Sequence, residues 1–305
     1  MNIIQTAAKK IQKGELVAFP TETVYGLGAD ATNNEACRKI YDAKGRPSNN
    51  PLIIHVSSKE AAYELGEITE EAQKIIDNFW PGPISIVVKR KTSSAICDIA
   101  TAGLGTIALR MPNHDVALEL IRESGVPIAA PSANKSNYLS PTEAKHVKEC
   151  FGNSLYIIES TKSTLGLEST IIDLSSEKPM ILRYGFITPE TISAVLDMDV
   201  LLSQNSIIKA PGMLTKHYSP HTSLRLNATT VLSGEIGLGF GKNDIGELNL
   251  SHKGDLAEAA ANYYSMIRLL DEKAIRHNIQ GIAVAKIPDE GIGLAINDKL
   301  RRGSH

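Results

Sequence analysis

Residues 169–185 read STIIDLSSEKPMILRYG, and this stretch decides the fold class. Two short apolar runs, STIIDL and MILRYG, are separated only by SSEKP. Parallel neighbouring strands need a crossover of about a dozen residues or more, so the two runs predict an antiparallel hairpin. Because this run and several others are largely apolar, we expect a sheet that is covered on both faces.

Up to about Leu202, short strand patterns alternate with helical patterns on either side of this hairpin. Further strands are predicted in the runs LVAFPT, PLIIHV, ISIVVKR, TIALRMP, VPIAAPSA and LYIIES. Helical periodicity spans 34–43, 69–79, 115–124, 141–150 and 189–196, and Ser140 is the expected N-cap of the fourth helix. We therefore predict one α/β domain over residues 1–205, built on a mixed, twisted sheet.

Residues 206–222, SIIKAPGMLTKHYSPHT, contain two prolines, a glycine and two histidines, which predicts an irregular linker. Residues 223–302 then show a strand, a glycine-rich segment (GEIGLGFGKN), a short strand, a long helix over 255–276, a strand and a short helix over 297–301. That order predicts a small second α/β domain.

The composition is that of an ordinary globular chain: 305 residues, 42% hydrophobic and 22% charged, with a net charge of −2. No overall positive field indicates nucleic-acid binding. The three cysteines form no CxxC motif, which excludes a zinc ribbon and favours a reducing cytoplasm. No apolar run reaches the roughly 18 residues of a membrane span, so we expect no membrane partner.

The loop KGRPSNNP, residues 44–51, places Lys44 and Arg46 one residue apart beside two stiffening prolines. A lysine is a compact charge suited to phosphate oxygens, and an arginine offers a planar fork. Arg110 ends the apolar run TIALR, where an unpaired buried charge would be costly, so we expect an anion beside it.

Ser132 and Asn134 in APSANKS, Ser169 in STIIDL and Arg183 in ILRYG stand at similar strand ends. Each motif alone also fits a solvated turn. Ligands of open α/β sheets bind outside strand ends. If these ends converge, the pocket is cationic and rich in hydroxyl groups, which suits a nucleoside triphosphate and a small carboxylate.

Other nucleotide and metal motifs are missing from the sequence. GLGFGKN lacks the P-loop spacing and its hydroxyl residue, and there is no HExxH or GxSxG. His217 and His221 in HYSPH could share a metal, but the proline between them leaves the i,i+4 geometry unassured.

At these residues the chain resembles the YrdC-like family, in the long two-domain form of threonylcarbamoyl-AMP synthases. FPTETVYGLG resembles the opening signature of the family, and Lys44-Gly45-Arg46 and Ser132-Ala133-Asn134 match its KxR and SxN motifs. APGMLTKHYSPHT resembles the linker of the long form, and GIGLAINDKLRR resembles the end of its second domain. The resemblance implies a YrdC-like twisted mixed sheet with helices on its faces, a linker that closes the active site, and a small Rossmann-like C-terminal α/β domain.

The resemblance also implies a reaction. L-threonine, bicarbonate or carbon dioxide, and ATP give threonylcarbamoyl-AMP and pyrophosphate, with Mg²⁺ held by ATP rather than directly by protein ligands. This is the activity of a nucleotidyltransferase. The product then passes to the tRNA threonylcarbamoyl transferase machinery, which modifies an adenosine in tRNAs that read ANN codons. A direct contact with tRNA stays open.

The site residues follow from the matched motifs. The resemblance implies that Lys44 and Arg46 are catalytic. It implies that L-threonine is bound by Thr23, His55, Arg110 and Ser169. It implies that ATP is bound by Arg46, Asn50, Thr106, Ser132, Asn134, Ser140, Arg183 and Tyr218. Ala130 departs from the pattern, because some relatives carry at this position a threonine whose hydroxyl touches the amino-acid substrate.

Two alternatives stay open. The first is an RNA-binding module without catalysis, against which stand the net charge of −2 and an aromatic content of 5%. The second is another carbamoyl-adenylate-forming transferase. Against it stands the absence of the zinc-finger cysteines and acylphosphatase segment that those larger proteins carry.

Overall fold

The computed structural model describes residues 2–202 and 218–304, and its first part is built on one ten-stranded sheet. The strands are β1 (Val17–Phe19), β2 (Gly26–Asp30), β3 (Ile53–His55), β4 (Ile84–Lys89), β5 (Thr106–Arg110), β6 (Ile128–Ala129), β7 (Tyr156–Ile157), β8 (Thr170–Asp173), β9 (Met180–Arg183) and β10 (Leu201–Leu202). The helices are α1 (Ile3–Gln12), α2 (Asn34–Lys44), α3 (Lys59–Leu65), α4 (Glu70–Phe79), α5 (Asp98–Thr101), α6 (Asp115–Ser124), α7 (Ala144–Phe151) and α8 (Pro189–Leu196).

The sheet is mixed, with the strand order β10-β9-β8-β4-β5-β3-β6-β2-β1-β7. β8 and β9 form the antiparallel pair predicted from STIIDLSSEKPMILRYG, with Ile172 opposite Ile181. β4 is parallel to β8 and antiparallel to β5, whereas β3 and β5 are parallel. The predicted mixed α/β sheet is therefore confirmed.

Helices cover one face of this sheet and only part of the other. Ile54 of β3 packs in the core formed with α2, α4 and α8. Side chains alternate along a strand, so Ile53 and His55 point to the opposite face. On that face, α1 and α6 pack against Phe19 and Ile128 near one end of the sheet. Elsewhere on this face Ile53, Val87 and Ala108 belong to a smaller buried cluster, and the functional site lies beside it.

The second part forms its own four-stranded parallel sheet. Its elements are β11 (Ser223–Ala228), β12 (Glu235–Gly239), β13 (Leu248–Asn249), α9 (Leu256–His277), β14 (Gly281–Ala285) and α10 (Ile292–Gly303). The strand order is β11-β14-β12-β13, and α9 is the crossover between β13 and β14. The prediction of a small Rossmann-like α/β unit is confirmed.

One local prediction was wrong, and two strands were not predicted. The fourth helix begins at Ala144 rather than Pro141, and Ser140 does not cap it, because the Ser140 hydroxyl donates to Glu168. The run GLGAD forms β2, although its glycines hide the alternation of a strand. GEIGLGFGKN, described above only as a glycine-rich segment, contains the buried strand β12.

The two parts pack against each other through one apolar cluster. Leu139 and Leu167 of the first part lie in the same buried cluster as Tyr264 and Ile267 of α9. Of the predicted linker, residues 206–217 lie outside the described residues, and the proposed domain boundaries stay a prediction. Across residues 2–202 and 218–304, no helix combines the length and the apolar character that crossing a bilayer requires.

Gly166 is the point where the first part touches the backbone of α9. Its φ is +72°, and a Cβ there would lie 2.4 Å from the carbonyl oxygen of Ala260. We expect Gly166→Ala to lower the free energy of unfolding by about 2 kcal/mol or more, since a left-handed backbone strain and a backbone clash add. Gly125→Ala is the matched control. Gly125 has a φ of +67° and open space around its Cβ, so about 1 kcal/mol is expected in urea unfolding. Equal losses in the two variants would contradict the packing argument.

Candidate active site

The face of the sheet to which Ile53 and His55 point carries a narrow cleft beside the loop that follows β1. Eight of the predicted site residues line it: Thr23, Arg46, His55, Arg110, Ser132, Ser169, Arg183 and Tyr218. They come from five strands or strand ends, from the loop between β1 and β2, from the KGRPSNNP loop and from the segment after residue 217. The structure thus brings most of the predicted residues around one cavity.

Arg110, at the end of β5, is buried and already holds an anion. Its Nη2 donates to Glu22 Oε1 at 2.8 Å and to Thr23 Oγ1 at 2.9 Å. The expected partner is therefore a carboxylate of the protein. Within the described part of the chain, Arg110 Nη1 donates to no group and Glu22 Oε2 accepts from none. Arg110 can hold a second carboxylate from the cleft, because a guanidinium has five N–H donors.

Lys44 and Arg46 flank Gly45, which ends α2 with a φ of +63°. Lys44 Nζ donates to the carbonyl oxygen of Ser132 at 2.6 Å and to that of Asn134. Arg46 donates through Nε to Asn50 O at 3.1 Å and through Nη2 to Pro51 O at 3.0 Å. Arg46 reaches the cleft, whereas Lys44 lies behind it and ties the KxR motif to the SxN motif. Burial lowers the pKa of Lys44, and the nearby charge of Arg46 lowers it further.

Two asparagines in these motifs keep buried polar atoms free. Neither Oδ1 nor Nδ2 of Asn50 has a hydrogen-bond partner among the described residues, and the side chain is 1% exposed. Asn134 donates through Nδ2 to the carbonyls of Lys135 and Tyr138, but its Oδ1 accepts nothing from the described chain. Unpaired buried amide atoms are costly, so a ligand or water is expected to pair them.

His55 stands two residues after Ile53 on the cleft face, with its ring edge-on to Phe19 at 5.9 Å. Burial, followed by the charge of Arg110, lowers the pKa of His55 to about 3. The imidazole is therefore neutral at physiological pH, and its Nδ1 has no partner among the described side chains and backbone. It can accept or donate one hydrogen bond, but it does not add a charge to the cleft.

Ser169 and Arg183, at the two ends of the β8–β9 hairpin, form one wall of the cleft. Arg183 donates through Nε to Ser169 O at 3.0 Å and through Nη2 to Ser169 Oγ at 2.9 Å. Ser169 Oγ also lies 2.8 Å from Ser85 Oγ. The pairing of β8 with β9 therefore places a hydroxyl and a cation side by side at the cleft.

Glu168 is the one cleft-lining carboxylate in the described chain, and the sequence analysis missed it. Its Oε1 accepts from Ser140 Oγ and, at 2.8 Å, from the hydroxyl of Tyr264 in α9. Lys299 Nζ in α10 lies 3.5 Å from Glu168 Oε2. Burial raises the pKa of Glu168, but the charges of Lys299 and Arg183 and the Ser140 hydrogen bond outweigh it, so the pKa is lowered overall. Its position just before STIIDL was the only signal in the sequence.

The remaining predicted residues do not line the cleft. Ser140 is fully buried behind it, bonded to Glu168. Thr106 begins β5, on the same face as Arg110 but about 13 Å along the strand, so only an extended ligand reaches both.

Of the histidine pair, His217 lies outside the described residues. The His221 ring packs on Tyr138 at 4.8 Å, and no three metal-ligating side chains cluster within 2–202 and 218–304.

The low pKa of His55 predicts a pH dependence of stability. Between pH 6.5 and 5 the unfolded chain binds a proton at this position and the folded chain does not. The free energy of unfolding therefore decreases as the pH is lowered. We expect this effect to remove roughly 1.5 kcal/mol over that interval. Urea unfolding of the wild type and of His55→Asn at both pH values measures it. The variant should lose that much less than the wild type, and equal losses would contradict a neutral buried imidazole. His146, whose pKa burial lowers to about 4, adds the same background slope to both proteins.

Comparisons with known proteins agree with the geometry. The family model Sua5_yciO_yrdC, described as "Telomere recombination", matches residues 9–185, and a model described as "Threonylcarbamoyl-AMP synthase, C-terminal domain" matches residues 187–304. A threonylcarbamoyl-AMP synthase of Bacillus subtilis is 39% identical over 99% of this chain and 92% of that protein. One of Pyrococcus abyssi is 39% identical over 99% of this chain and 94% of that protein. The crystal structure of P. abyssi Sua5 complexed with L-threonine superposes with a TM-score of 0.89 at 37% identity, covering 99% of this chain and 94% of that one.

Proposed function

We infer the activity of this chain from its family: the chain belongs to the Sua5–YciO–YrdC family and carries the C-terminal domain of threonylcarbamoyl-AMP synthases. Its relatives over the full length are threonylcarbamoyl-AMP synthases. The chain is accordingly an enzyme that uses ATP and L-threonine to make the adenylate threonylcarbamoyl-AMP for threonylcarbamoyladenosine synthesis in tRNA.

The observation that carries this function is the arrangement of three cations in one cleft. Arg110 stands at one side, its Nη1 without a partner among the described residues, and Arg46 and Arg183 line the same cavity. We assign the threonine carboxylate to Arg110, because a guanidinium binds a carboxylate through two parallel hydrogen bonds. Thr23, His55 and Ser169 surround this position and are assigned to the rest of the amino acid.

We assign the ATP to the side of the cleft formed by Arg46, Ser132 and Arg183. Asn50 and Asn134 do not line this cavity, and we assign them to the nucleotide because buried atoms of both lack partners among the described residues. Thr106 would meet only the far end of such an extended ligand, and Tyr218 would close it from the side. Lys44 is assigned a positioning role, since its ammonium group is bonded to two carbonyls of the SxN loop.

The reaction class we propose is nucleotidyl transfer with bicarbonate or carbon dioxide as the third substrate. The threonine nitrogen attacks the carbon of carbon dioxide and loses a proton, which gives a carbamate. A carbamate oxygen then forms a bond to the α-phosphorus of ATP, and the bond from that phosphorus to the pyrophosphate oxygen breaks. The nucleophile is already anionic, so positioning and charge neutralisation are the main tasks of the protein.

Mg²⁺ fits this site only as a companion of ATP. The single cleft carboxylate found among the described residues, Glu168, already accepts from Ser140 and Tyr264 and faces Lys299. The phosphates would therefore hold the ion, which supplies charge neutralisation when bound.

The cellular setting is also a proposal. Three free cysteines support a reducing compartment, the cytoplasm, and the product would pass to a separate tRNA threonylcarbamoyl transferase.

Release of pyrophosphate tests the proposed function. The purified chain is incubated with ATP, L-threonine and bicarbonate, with each omitted in turn. Release that requires both threonine and bicarbonate supports the synthase, and formation of threonylcarbamoyl-AMP is verified by mass spectrometry. Release without threonine would favour another carbamoyl-adenylate-forming enzyme, and RNA retention without release would favour a binding module.

A further inference from the structure

Glu168 lies in the first part of the chain, yet two of its partners come from the second. The hydroxyl of Tyr264 in α9 donates to both carboxylate oxygens, at 2.8 and 3.0 Å. Lys299 of α10 is 0% exposed, with its Nζ 3.5 Å from Glu168 Oε2 and 3.0 Å from the carbonyl oxygen of Tyr184. A fully buried ammonium group is costly unless it is paired, so this contact is specific rather than incidental.

The same carboxylate belongs to the wall of the cleft. Glu168 lines the cavity together with its neighbour Ser169 and with Tyr218. Lys299 Nζ lies 5.5 Å from the centre of the Tyr218 ring. Gly185 packs so close to the backbone of residues 168–170 that a Cβ there would lie 2.2 Å from the Thr170 nitrogen, so this segment has little freedom to move. A change in the charge or orientation of the Glu168 side chain therefore changes the wall of the cavity.

An uncompensated carboxylate is unfavourable in a cleft that takes a triphosphate, because like charges repel strongly where water is excluded. The cations that face Glu168 are Lys299 from α10, Arg183 from β9 and, further away, Lys44 from α2; the phenols near it are Tyr218, Tyr263 and Tyr264. Arg183 is assigned to the nucleotide and Lys44 is bonded to two carbonyls. Lys299 is left as the cation that pairs with Glu168 and is not assigned to the nucleotide.

We propose that Lys299 and Tyr264 are positioning residues of the active site. Lys299 offsets the charge of Glu168 so that ATP can enter, and Tyr264 fixes the orientation of the Glu168 carboxylate and, through it, of Ser140. The second domain thus supplies part of the electrostatics of a cleft whose lining, so far as the structure describes it before residue 218, belongs to the first. This inference rests on the proposed function, because it assumes that ATP is the ligand.

The experiment compares Lys299→Met with Lys299→Arg and with the double variant Glu168→Gln/Lys299→Met. We expect Lys299→Met to raise KM for ATP about tenfold or more at pH 8, with a smaller change in KM for threonine. The arginine variant keeps the charge and should retain most of the ATP affinity. The double variant should regain at least half of the lost affinity.

Lys273→Met is the matched control, since Lys273 pairs with Glu247 on the exposed surface of the same domain and should leave KM unchanged. Thermal melting shows which variants are folded. If Lys299→Met does not fold, the Lys299→Arg and Glu168→Gln/Lys299→Met variants test the inference. A double variant with no recovery, or a Lys299→Met protein with wild-type KM for ATP, would overturn the inference. Wild-type protein without threonine-dependent pyrophosphate release would instead overturn the proposed function.

Discussion

Replacing Arg110 by Met is expected to lower kcat/KM for threonine by about 10²–10³-fold and also to destabilise the protein. The loss of activity follows from removing the guanidinium assigned to the substrate carboxylate. The loss of stability follows from Glu22, which would keep its charge in a buried position without the partner now at 2.8 Å. Breaking a buried pair on one side costs about 3–5 kcal/mol.

The double variant Glu22→Gln/Arg110→Met separates the two effects. Without the lone charge, most of the free energy of unfolding should return in urea titrations, because the remaining groups are neutral. Activity should not return, because no group is left to bind the carboxylate. An Arg110→Met enzyme with an unchanged KM for threonine would show that the substrate carboxylate lies elsewhere.

Arg46→Ala is expected to lower kcat/KM for ATP by about 30-fold or more, which corresponds to roughly 2 kcal/mol of transition-state binding. The variant loses a cation of the cleft and the two hydrogen bonds to Asn50 O and Pro51 O that hold the loop. Pyrophosphate release at varied ATP concentrations measures the effect.

Arg38→Ala is the control for this variant. Arg38 is an exposed cation of α2, the helix that ends just before Arg46, and among the described residues its ion-pair partner is Glu35, three positions away. Near-equal rates for Arg46→Ala and the control would remove Arg46 from the proposed machinery.

The β8–β9 hairpin and part of the site could be predicted from short stretches of the sequence. The five residues of SSEKP are too few for a crossover, so the hairpin of β8 and β9 followed from chain length alone. Arg110 could be singled out because a charge at the end of an apolar run needs an anion. The strand β2 could not, since the glycines of GLGAD remove the alternation that marks a strand.

The other part of the site depends on contacts between distant residues. Glu168 contacts Tyr264 and Lys299 because α9 and α10 pack on the first domain. The sequence around Glu168 does not indicate those partners. Ser140 was predicted to cap a helix because a serine before a proline is typical of a helix N-terminus. Its hydroxyl instead bonds to Glu168, which is distant in the sequence.

The late position of Lys299 has a consequence for biosynthesis. Chains fold during translation, first domain first, at about 5–20 residues per second. The ribosome completes the ten-stranded sheet before it has made Lys299, in the last helix of the chain. On the proposed role of that lysine, a nascent or prematurely terminated chain would carry a cleft that repels ATP. We therefore expect truncated translation products to bind ATP more weakly than chains that contain Lys299.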